Sequence, residues 1–270
     1  AGNDFVFGDN GLADYQRDND GNIVGSSELF RGSFTNSDAD KVAKKDQELA
    51  FGYGISAFAQ NFGIKADAKS DTVDGNDTIL AGNGSDFVDG QSGDDTYKIQ
   101  VMGGSNHAIT NVMDSGTADM GDSMTIDGTV DADEMLVRAS TAGLGFVAKL
   151  PTTDDEQIQR VNFWNVGGGD TGLENIALNT GAGNDKIAID GTLSTISIDA
   201  GAGNDSITVG QQFESERNTD KDHSNVLPND AFTTTKTTQG YLSAGVQHST
   251  NIEGGEGNDT FNVLRNTAAV

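Results

Sequence analysis

Three aspartates at a spacing of nine residues are the first candidates for chemistry in this sequence. Asp77, Asp86 and Asp95 each follow a glycine by two positions and precede an apolar residue by two. The pattern is the nonapeptide G-G-x-G-x-D-x-U-x, which is typical of a parallel β-roll that binds Ca²⁺. Carboxylate and carbonyl oxygens are the hard ligands that Ca²⁺ takes in proteins. The spacing therefore predicts calcium sites at glycine-rich turns.

Two kinds of element must position these aspartates, a short strand and a tight turn. The x-U-x portion predicts a strand with one inward side chain, because strand side chains alternate between faces. The glycines predict the turn, because positive φ and close backbone packing both exclude a Cβ atom.

A second repeat, with an offset of 20 residues, follows later in the chain. Residues 174–193 align with residues 194–213, which matches Asp185 to Asp205. An offset near twenty fits a whole coil of two strands, whereas nine fits half a coil. We therefore expect Asp185 and Asp205 to stack on one edge, about 4.8 Å apart. By the same reasoning Asp77 and Asp95 share an edge, and Asp86 lies on the other.

The composition also favours a bound cation. The 270 residues include 42 acidic and 16 basic side chains, for a net charge of −26, with 36 glycines and only 34% apolar residues. Such repulsion and low apolar content oppose folding unless cations neutralise the carboxylates. The chain has no cysteine, so metal replaces disulfides as the candidate stabiliser. The charge argues against nucleic acid as a partner, and no transmembrane run is present.

The turns resemble the RTX (repeats-in-toxin) nonapeptides of proteins that Gram-negative bacteria export by type I secretion. Wider segments are similar to the very large, repetitive RTX surface proteins and adhesins, including Val6–Gly11, Asp114–Thr129, Leu173–Asp185 and Glu253–Asn266. The resemblance implies an all-β fold, a right-handed parallel β-roll or β-helix with inserted loops. We expect one short helix in an insertion, around Asp40–Ala50.

The resemblance also implies a ligand set, because each ion in RTX proteins lies between two successive turns. The implied side-chain ligands are Asp4, Asp77, Asp86, Asp95, Asp185, Asp205 and Asp259. The implied carbonyl ligands are Asp74, Gly75, Gly82, Asn83, Gly84, Gly93, Gly181, Ala182, Gly183, Gly201, Ala202, Gly203, Gly255, Glu256 and Gly257. The sequence departs from the motif where a turn glycine is replaced, at Val73, Gln91, Thr180 and Ala200.

Other polar features have plainer interpretations. The turn asparagines Asn76, Asn184, Asn204 and Asn258 fit asparagine's tolerance of the left-handed conformation better than glycosylation. The acid-rich stretches Asp131–Glu134 and Asp154–Glu156 are predicted to be solvated loops, with a second class of calcium site as the alternative.

The repeat pattern divides the chain into seven segments. We expect a coil with a hairpin excursion in 1–25, an insertion in 26–70, the nonapeptide β-roll in 71–100, coils or an appended sheet in 101–172, β-helix coils in 173–213, a loop insertion in 214–245 and a last coil in 246–270. Because residue 1 falls in mid-repeat, we expect a longer protein in which further coils or copies of the chain cover the coil edges.

A catalytic role is not predicted. The three histidines, His107, His223 and His248, are widely separated, and neither H-E-x-x-H nor G-x-S-x-G occurs. The resemblance instead implies an extracellular, calcium-binding structural or adhesive module at the bacterial surface, with several Ca²⁺ ions. Neighbouring repeats, copies of itself, surface glycans or other cells are its expected partners. Two alternatives stay open: a subunit of a surface layer or filament, and the calcium module of a secreted toxin or enzyme.

Overall fold

The computed structural model describes residues 5–7, 11–13, 64–66, 76–81, 85–90, 93–104, 108–114, 121–141, 143–164, 173–217 and 231–268. These ranges contain twenty strands, numbered β1 to β20 in chain order, and no helix. The all-β prediction is confirmed. The helix predicted around Asp40–Ala50 lies outside the described residues.

Two sheets make up the solenoid, and the chain alternates between them. The six-stranded sheet has the order β19-β14-β12-β8-β6-β4, with β4 (Thr78–Ala81), β6 (Thr96–Gln100), β8 (Ser123–Thr129), β12 (Asn175–Gly181), β14 (Thr195–Asp199) and β19 (Thr250–Glu253). The nine-stranded sheet has the order β1-β5-β7-β11-β10-β9-β13-β15-β20, with β1 (Phe5–Phe7), β5 (Asp86–Asp89), β7 (Ala108–Met113), β9 (Glu134–Ala139), β10 (Leu144–Leu150), β11 (Gln159–Trp164), β13 (Lys186–Ile189), β15 (Ser206–Val209) and β20 (Thr260–Val263).

The coils stack in parallel register at the spacings that the repeats predict. Thr78 lies opposite Thr96 in the six-stranded sheet, and Lys186 lies opposite Ser206 in the other. Ser206 in turn lies opposite Thr260, although 54 residues separate them in sequence. These coils therefore lie directly on one another, whatever the length of the chain between them.

The core lies between the two sheets and follows the period-two alternation of the strands. Inward side chains of neighbouring coils form continuous apolar rows, such as Tyr97, Met124 and Ile176 on one sheet and Ile187 and Ile207 on the other, all at most 3% exposed. Each fully buried aliphatic side chain contributes about 1.5–3 kcal/mol. The core is thus built by repetition of one inward residue per short strand.

An antiparallel meander interrupts the parallel coils. Strand β10 pairs antiparallel with both β9 and β11, while β11 continues in parallel from β7 and β9 continues to β13. In the segment 101–172, for which the sequence left coils and an appended sheet open, β7 and β8 are coil strands, and the meander strands belong to the nine-stranded sheet. The meander widens the nine-stranded sheet without leaving it.

Two small antiparallel sheets lie outside the coils. One consists of β16 (Gln212–Phe213), β17 (Thr235–Thr237) and β18 (Gly240–Leu242), in the connection between β15 and β19. The other pairs β2 (Gly11–Ala13) with β3 (Ile64–Ala66). Strand β3 falls in the insertion 26–70, and β17 and β18 fall in the insertion 214–245, where the glycine-aspartate turns are missing from the sequence.

Candidate metal centre

A row of four acids runs along one edge of the six-stranded sheet, each immediately before a strand. We call Asp77, Asp95, Asp122 and Glu174 the first acid row. The backbone N–H of each member donates to the carboxylate of the next, at 2.7 Å to Asp95 Oδ1, 2.7 Å to Asp122 Oδ1 and 2.9 Å to Glu174 Oε2. The acids thus connect four successive coils.

A second acid row, formed by Asp133, Asp185, Asp205 and Asp259, runs along the nine-stranded sheet. The same backbone-to-carboxylate bonds join its members, at 2.7 Å to Asp185 Oδ1, 2.8 Å to Asp205 Oδ1 and 3.0 Å to Asp259 Oδ1. The predicted stacking of Asp185 on Asp205 and of Asp77 on Asp95 is confirmed. Asp86 lies on the other sheet, as predicted, but its neighbour on β7 is Thr110, so no acid follows it there.

Three members of the acid rows were not among the predicted ligands. Asp122, Asp133 and Glu174 lie in stretches without the full glycine motif. Each nevertheless precedes an inward apolar residue by two positions, as in D-x-U, and this shorter signal identifies all three. The prediction that Asp131–Glu134 forms a solvated loop is wrong for Asp133, which is 2% exposed.

The predicted carbonyl ligands stack from coil to coil. Ala202 N–H donates to the Gly181 carbonyl at 3.0 Å, and Glu256 N–H donates to the Gly201 carbonyl at 2.7 Å. Gly183 N–H donates to the Ala202 carbonyl at 2.8 Å. A carbonyl oxygen has two lone pairs, so each of these acceptors keeps one for a cation. Asp4, Asp74, Gly75, Gly82, Asn83 and Gly84 lie outside the described residues.

Close stacking explains the glycine at position 203. Its φ is +153°, and a Cβ there would overlap the carbonyl oxygen of Gly183. Thr180, which replaces a glycine of the motif, is accommodated differently. Its hydroxyl donates to the Ala200 carbonyl of the next coil at 2.9 Å, so the turn keeps a coil-to-coil bond there.

Gly203→Ala is expected to destabilise the calcium-loaded protein more than Gly104→Ala. Both glycines have positive φ, which costs alanine about 1–2 kcal/mol, but a Cβ on Gly104 would meet no other atom within 4 Å. The clash at Gly203 should add about 1–3 kcal/mol. Urea unfolding followed by circular dichroism measures the difference, and equal losses would contradict the stacking of Gly183 on Gly203.

The turn asparagines have a role that the sequence did not suggest. Asn184 Oδ1 accepts the N–H of Asn204 at 2.8 Å, and Asn204 Oδ1 accepts the N–H of Asn258 at 2.9 Å. Asn76 Oδ1 accepts the N–H of Asp94 in the same way, at 3.0 Å. These bonds form a polar row beside the acids and hold successive turns in register.

The acid rows contain buried carboxylate oxygens that the protein itself does not satisfy. The Oδ2 atoms of Asp77, Asp185 and Asp205 are buried and accept no hydrogen bond. Burial raises the pKa of the Asp185 carboxyl above its usual range, and the carboxylates of Asp133 and Asp205 raise it further. A buried charge without a partner is costly, so these oxygens require a cation or a proton.

The oxygens and the space around them fit a hard cation. A Cβ on Gly90 would overlap Asp95 Oδ2, and one on Gly254 would overlap Asp259 Oδ2. Glycine at the first position of the motif thus leaves room for the carboxylate inside the turn. The available donors are carboxylate and carbonyl oxygens, which suits Ca²⁺ and not the softer transition metals.

A further buried carboxylate, that of Asp114, lies beside two members of the first acid row. Asp95, Asp114 and Asp122 each place one carboxylate oxygen within 4.8 Å of the others. The Tyr97 hydroxyl donates to Asp114 Oδ2 at 3.0 Å and accepts the N–H of Gly90 at 2.7 Å. Burial raises the pKa of Tyr97, so the phenol stays a neutral donor. Asp114, which no motif singled out, is thereby held among the acids.

Acid is expected to have opposite effects with and without calcium. In the ion-free fold the raised pKa of Asp185 means that protonation stabilises the fold at low pH, and this stability is lost as pH rises through that pKa. In the calcium-loaded fold the bound cation favours the carboxylate, so stability is lost as pH falls. Circular dichroism at neutral pH and at about pH 4.5 tests this, since acid should restore β-signal in calcium-free buffer and should lower the thermal stability in calcium-containing buffer. A loss of stability on acidification in both buffers would contradict it.

The two sheets, which are parallel outside the meander, together with the glycine-rich turns and the acid rows define a parallel β-solenoid whose turns are lined by carboxylate and carbonyl oxygens. The RTX calcium-binding nonapeptide repeat matches this chain in four copies, within residues 71–97, 197–212 and 248–263. The chain thus contains RTX repeats, as its resemblance indicated, and these repeats are of a calcium-binding class. Neither a curated protein nor a solved structure shows significant similarity to it. Among the described residues, no helix is long and apolar enough to cross a membrane.

Proposed function

We propose that this chain is a structural module of a secreted surface protein, in which calcium bound between the turns locks the coils together. The observation that carries the proposal is the set of buried, unsatisfied Oδ2 atoms of Asp77, Asp185 and Asp205. Asp77 and Asp205 lie in stretches that match a calcium-binding repeat, Asp185 precedes Asp205 in the same acid row, and the chain has a net charge of −26.

The residues of the chain prepare the sites in two ways. Each backbone N–H of an acid row holds one carboxylate oxygen of the next coil, which fixes the second oxygen inside the turn. The stacked glycines bring carbonyl oxygens of successive coils close together. When calcium is bound, it supplies the positive charge that these oxygens lack. Because every site would draw on two coils, binding and coil stacking are coupled.

This coupling suits export by type I secretion. Inside a cell, where Ca²⁺ is scarce, repulsion among the carboxylates keeps the chain loose enough to be exported. Outside, Ca²⁺ at about 10⁻⁴–10⁻³ M falls in the affinity range of extracellular calcium modules and drives folding by mass action.

Strand β20 is an edge strand of the nine-stranded sheet, and we propose that another coil or a second copy of the chain packs against it. Phe261 and Val263 on β20 continue the core rows of Ile207 and Val209, yet they are 49% and 51% exposed. A neighbouring coil in the same register would cover both. This favours an adhesive or layer-forming scaffold, in which the module extends by stacking, over a free-standing toxin module. We assign the module no catalytic role.

Calcium titration of the purified chain tests the proposal. We expect isothermal calorimetry to show several Ca²⁺ ions bound, with a large heat from coupled folding, and little response to Mg²⁺ at the same concentration. Mg²⁺ requires near-ideal octahedral geometry and loses its water reluctantly. Absence of calcium binding at millimolar concentration would contradict the proposed function.

A further inference from the structure

Within the residues that the structure describes, buried positive charge is confined to the meander. Three basic side chains are buried in the described part of the chain, namely Arg138 on β9, Lys149 on β10 and Arg160 on β11, with 6%, 2% and 1% exposure. Residues 134–164 carry four acidic and three basic residues, for a net charge of −1. Residues 174–213, which form the neighbouring coils, carry five acidic residues and one basic residue.

Lys149 neutralises a member of the second acid row. Its Nζ lies 3.1 Å from Asp133 Oδ1 and 3.6 Å from Glu156 Oε2. The other oxygen, Asp133 Oδ2, accepts the N–H of Thr129 at 2.7 Å. Both oxygens of Asp133 are therefore satisfied by the chain, whereas Asp185 and Asp205, next in the same row, each keep a buried oxygen with no hydrogen bond.

Arg138, on β9, neutralises a second buried carboxylate, that of Asp190, which lies directly after β13. Its guanidinium donates to Asp190 Oδ2 from Nε at 2.9 Å and from Nη2 at 2.6 Å. It also lies over the Phe232 ring, 4.6 Å from the centroid, while the Arg160 guanidinium lies 3.7 Å from the centroid of Phe146. The guanidinium group of Arg138 thus contacts a carboxylate and an aromatic ring, and that of Arg160 contacts an aromatic ring.

The meander also has a hydrophobic cluster of its own, separate from the cluster that fills the solenoid core. Leu136, Phe146, Ala148 and Ile158 form it, and all are at most 5% exposed. Its strands are joined by antiparallel pairing between near neighbours in sequence, so its contacts close short loops. Neither the pairing nor the cluster involves the turns that bind cations.

We propose that the ammonium group of Lys149 takes the place of a calcium ion at Asp133, where the row of calcium sites ends. The meander therefore stays folded without calcium. The proposal rests on the proposed function, since it assigns ions to Asp185 and Asp205 and an ammonium group to Asp133. The meander would then be the folded base on which the coils assemble when calcium arrives.

Hydrogen exchange on the whole chain, read by mass spectrometry with calcium and in chelator, tests the proposal. In chelator we expect β9, β10 and β11 to stay protected, while β12, β14 and β15 exchange freely. Loss of protection in the meander together with the coils would overturn the inference. Persistent protection of the coils in chelator would instead overturn the proposed function, so the two failures are distinguishable.

Three variants test the role of Lys149 itself. In chelator, Lys149→Met is expected to lower the protection of the meander by about a hundredfold, since it leaves a buried carboxylate without its partner. Lys98→Met, at an exposed position on β6, is the matched control and should change nothing. The double variant Asp133→Asn with Lys149→Met removes both charges and should restore protection, even if the single variant does not fold. Failure of this rescue, or no effect of Lys149→Met, would overturn the assignment of Lys149 as a cation.

Discussion

Removal of calcium is expected to unfold the coils on both sides of the meander. Without a cation, the buried oxygens of Asp77, Asp185 and Asp205 have neither a hydrogen bond nor a counter-charge. Nine aspartates in the described residues are buried, against three basic side chains, so repulsion is concentrated inside the solenoid. Circular dichroism should show most of the β-signal vanish in chelator and return when calcium is added.

Small-angle scattering supplies an independent measurement of the same change, because loss of the coils should increase the radius of gyration. Slow release of ions is controlled by prolonged dialysis against chelator and by assaying the residual calcium. If the fully depleted protein still unfolds cooperatively and with an unchanged β-signal, calcium is not what stabilises the coils.

Asp205→Ala is expected to be among the most damaging single substitutions in the calcium-loaded protein. It removes the acceptor of the Asp185 N–H together with a carboxylate between two coils. By analogy with broken buried ion pairs, the loss should reach about 3–5 kcal/mol. Urea unfolding in excess calcium measures it, and calorimetry should show weaker calcium binding.

Two control variants separate the roles of the Asp205 side chain. Asp155→Ala, at an exposed loop position, should stay within about 0.5 kcal/mol of the parent. Asp205→Asn keeps an acceptor for the Asp185 N–H but loses the charge, so it should still weaken calcium binding. Equal stability losses at 155 and 205 would mean that the second acid row holds no ions, and full calcium affinity in Asp205→Asn would mean that the row acts only through hydrogen bonds.

The coils could be predicted from the sequence because the residues that determine each coil lie close together in the chain. One aspartate, one inward apolar residue and a few glycines repeat within nine or twenty positions, and these residues alone fix the register of Thr78 on Thr96. The stacking of Asp185 on Asp205 follows directly from that period. The same local signal, reduced to an acid two positions before an apolar residue, extends to Asp122, Asp133 and Glu174.

The meander could not be predicted because its strands have the same apolar pattern as coil strands. Nothing in Glu134–Ala139 or Leu144–Leu150 distinguishes antiparallel from parallel pairing. The contact between Lys149 and Asp133 depends on that pairing, so an acid in an apparently polar loop became a buried ion pair. The asparagine bonds were missed for a related reason: each joins turns of two different coils, and only the stacked structure brings them together.

The direct stacking of β20 on β15 has a consequence for how such a chain can vary in length. Thirty-six residues separate β16 from β19, and the coils on either side still meet in unbroken register. Between β8 and β12 the chain likewise makes a long excursion, and Asn175 still lies opposite Ser123. The distance between stacked coils is thus independent of the number of residues in the connection that joins them. We therefore expect the connections between β16 and β19 and between β8 and β12 to accept inserted segments, by recombination or by engineering, without a change in the stacking of the coils.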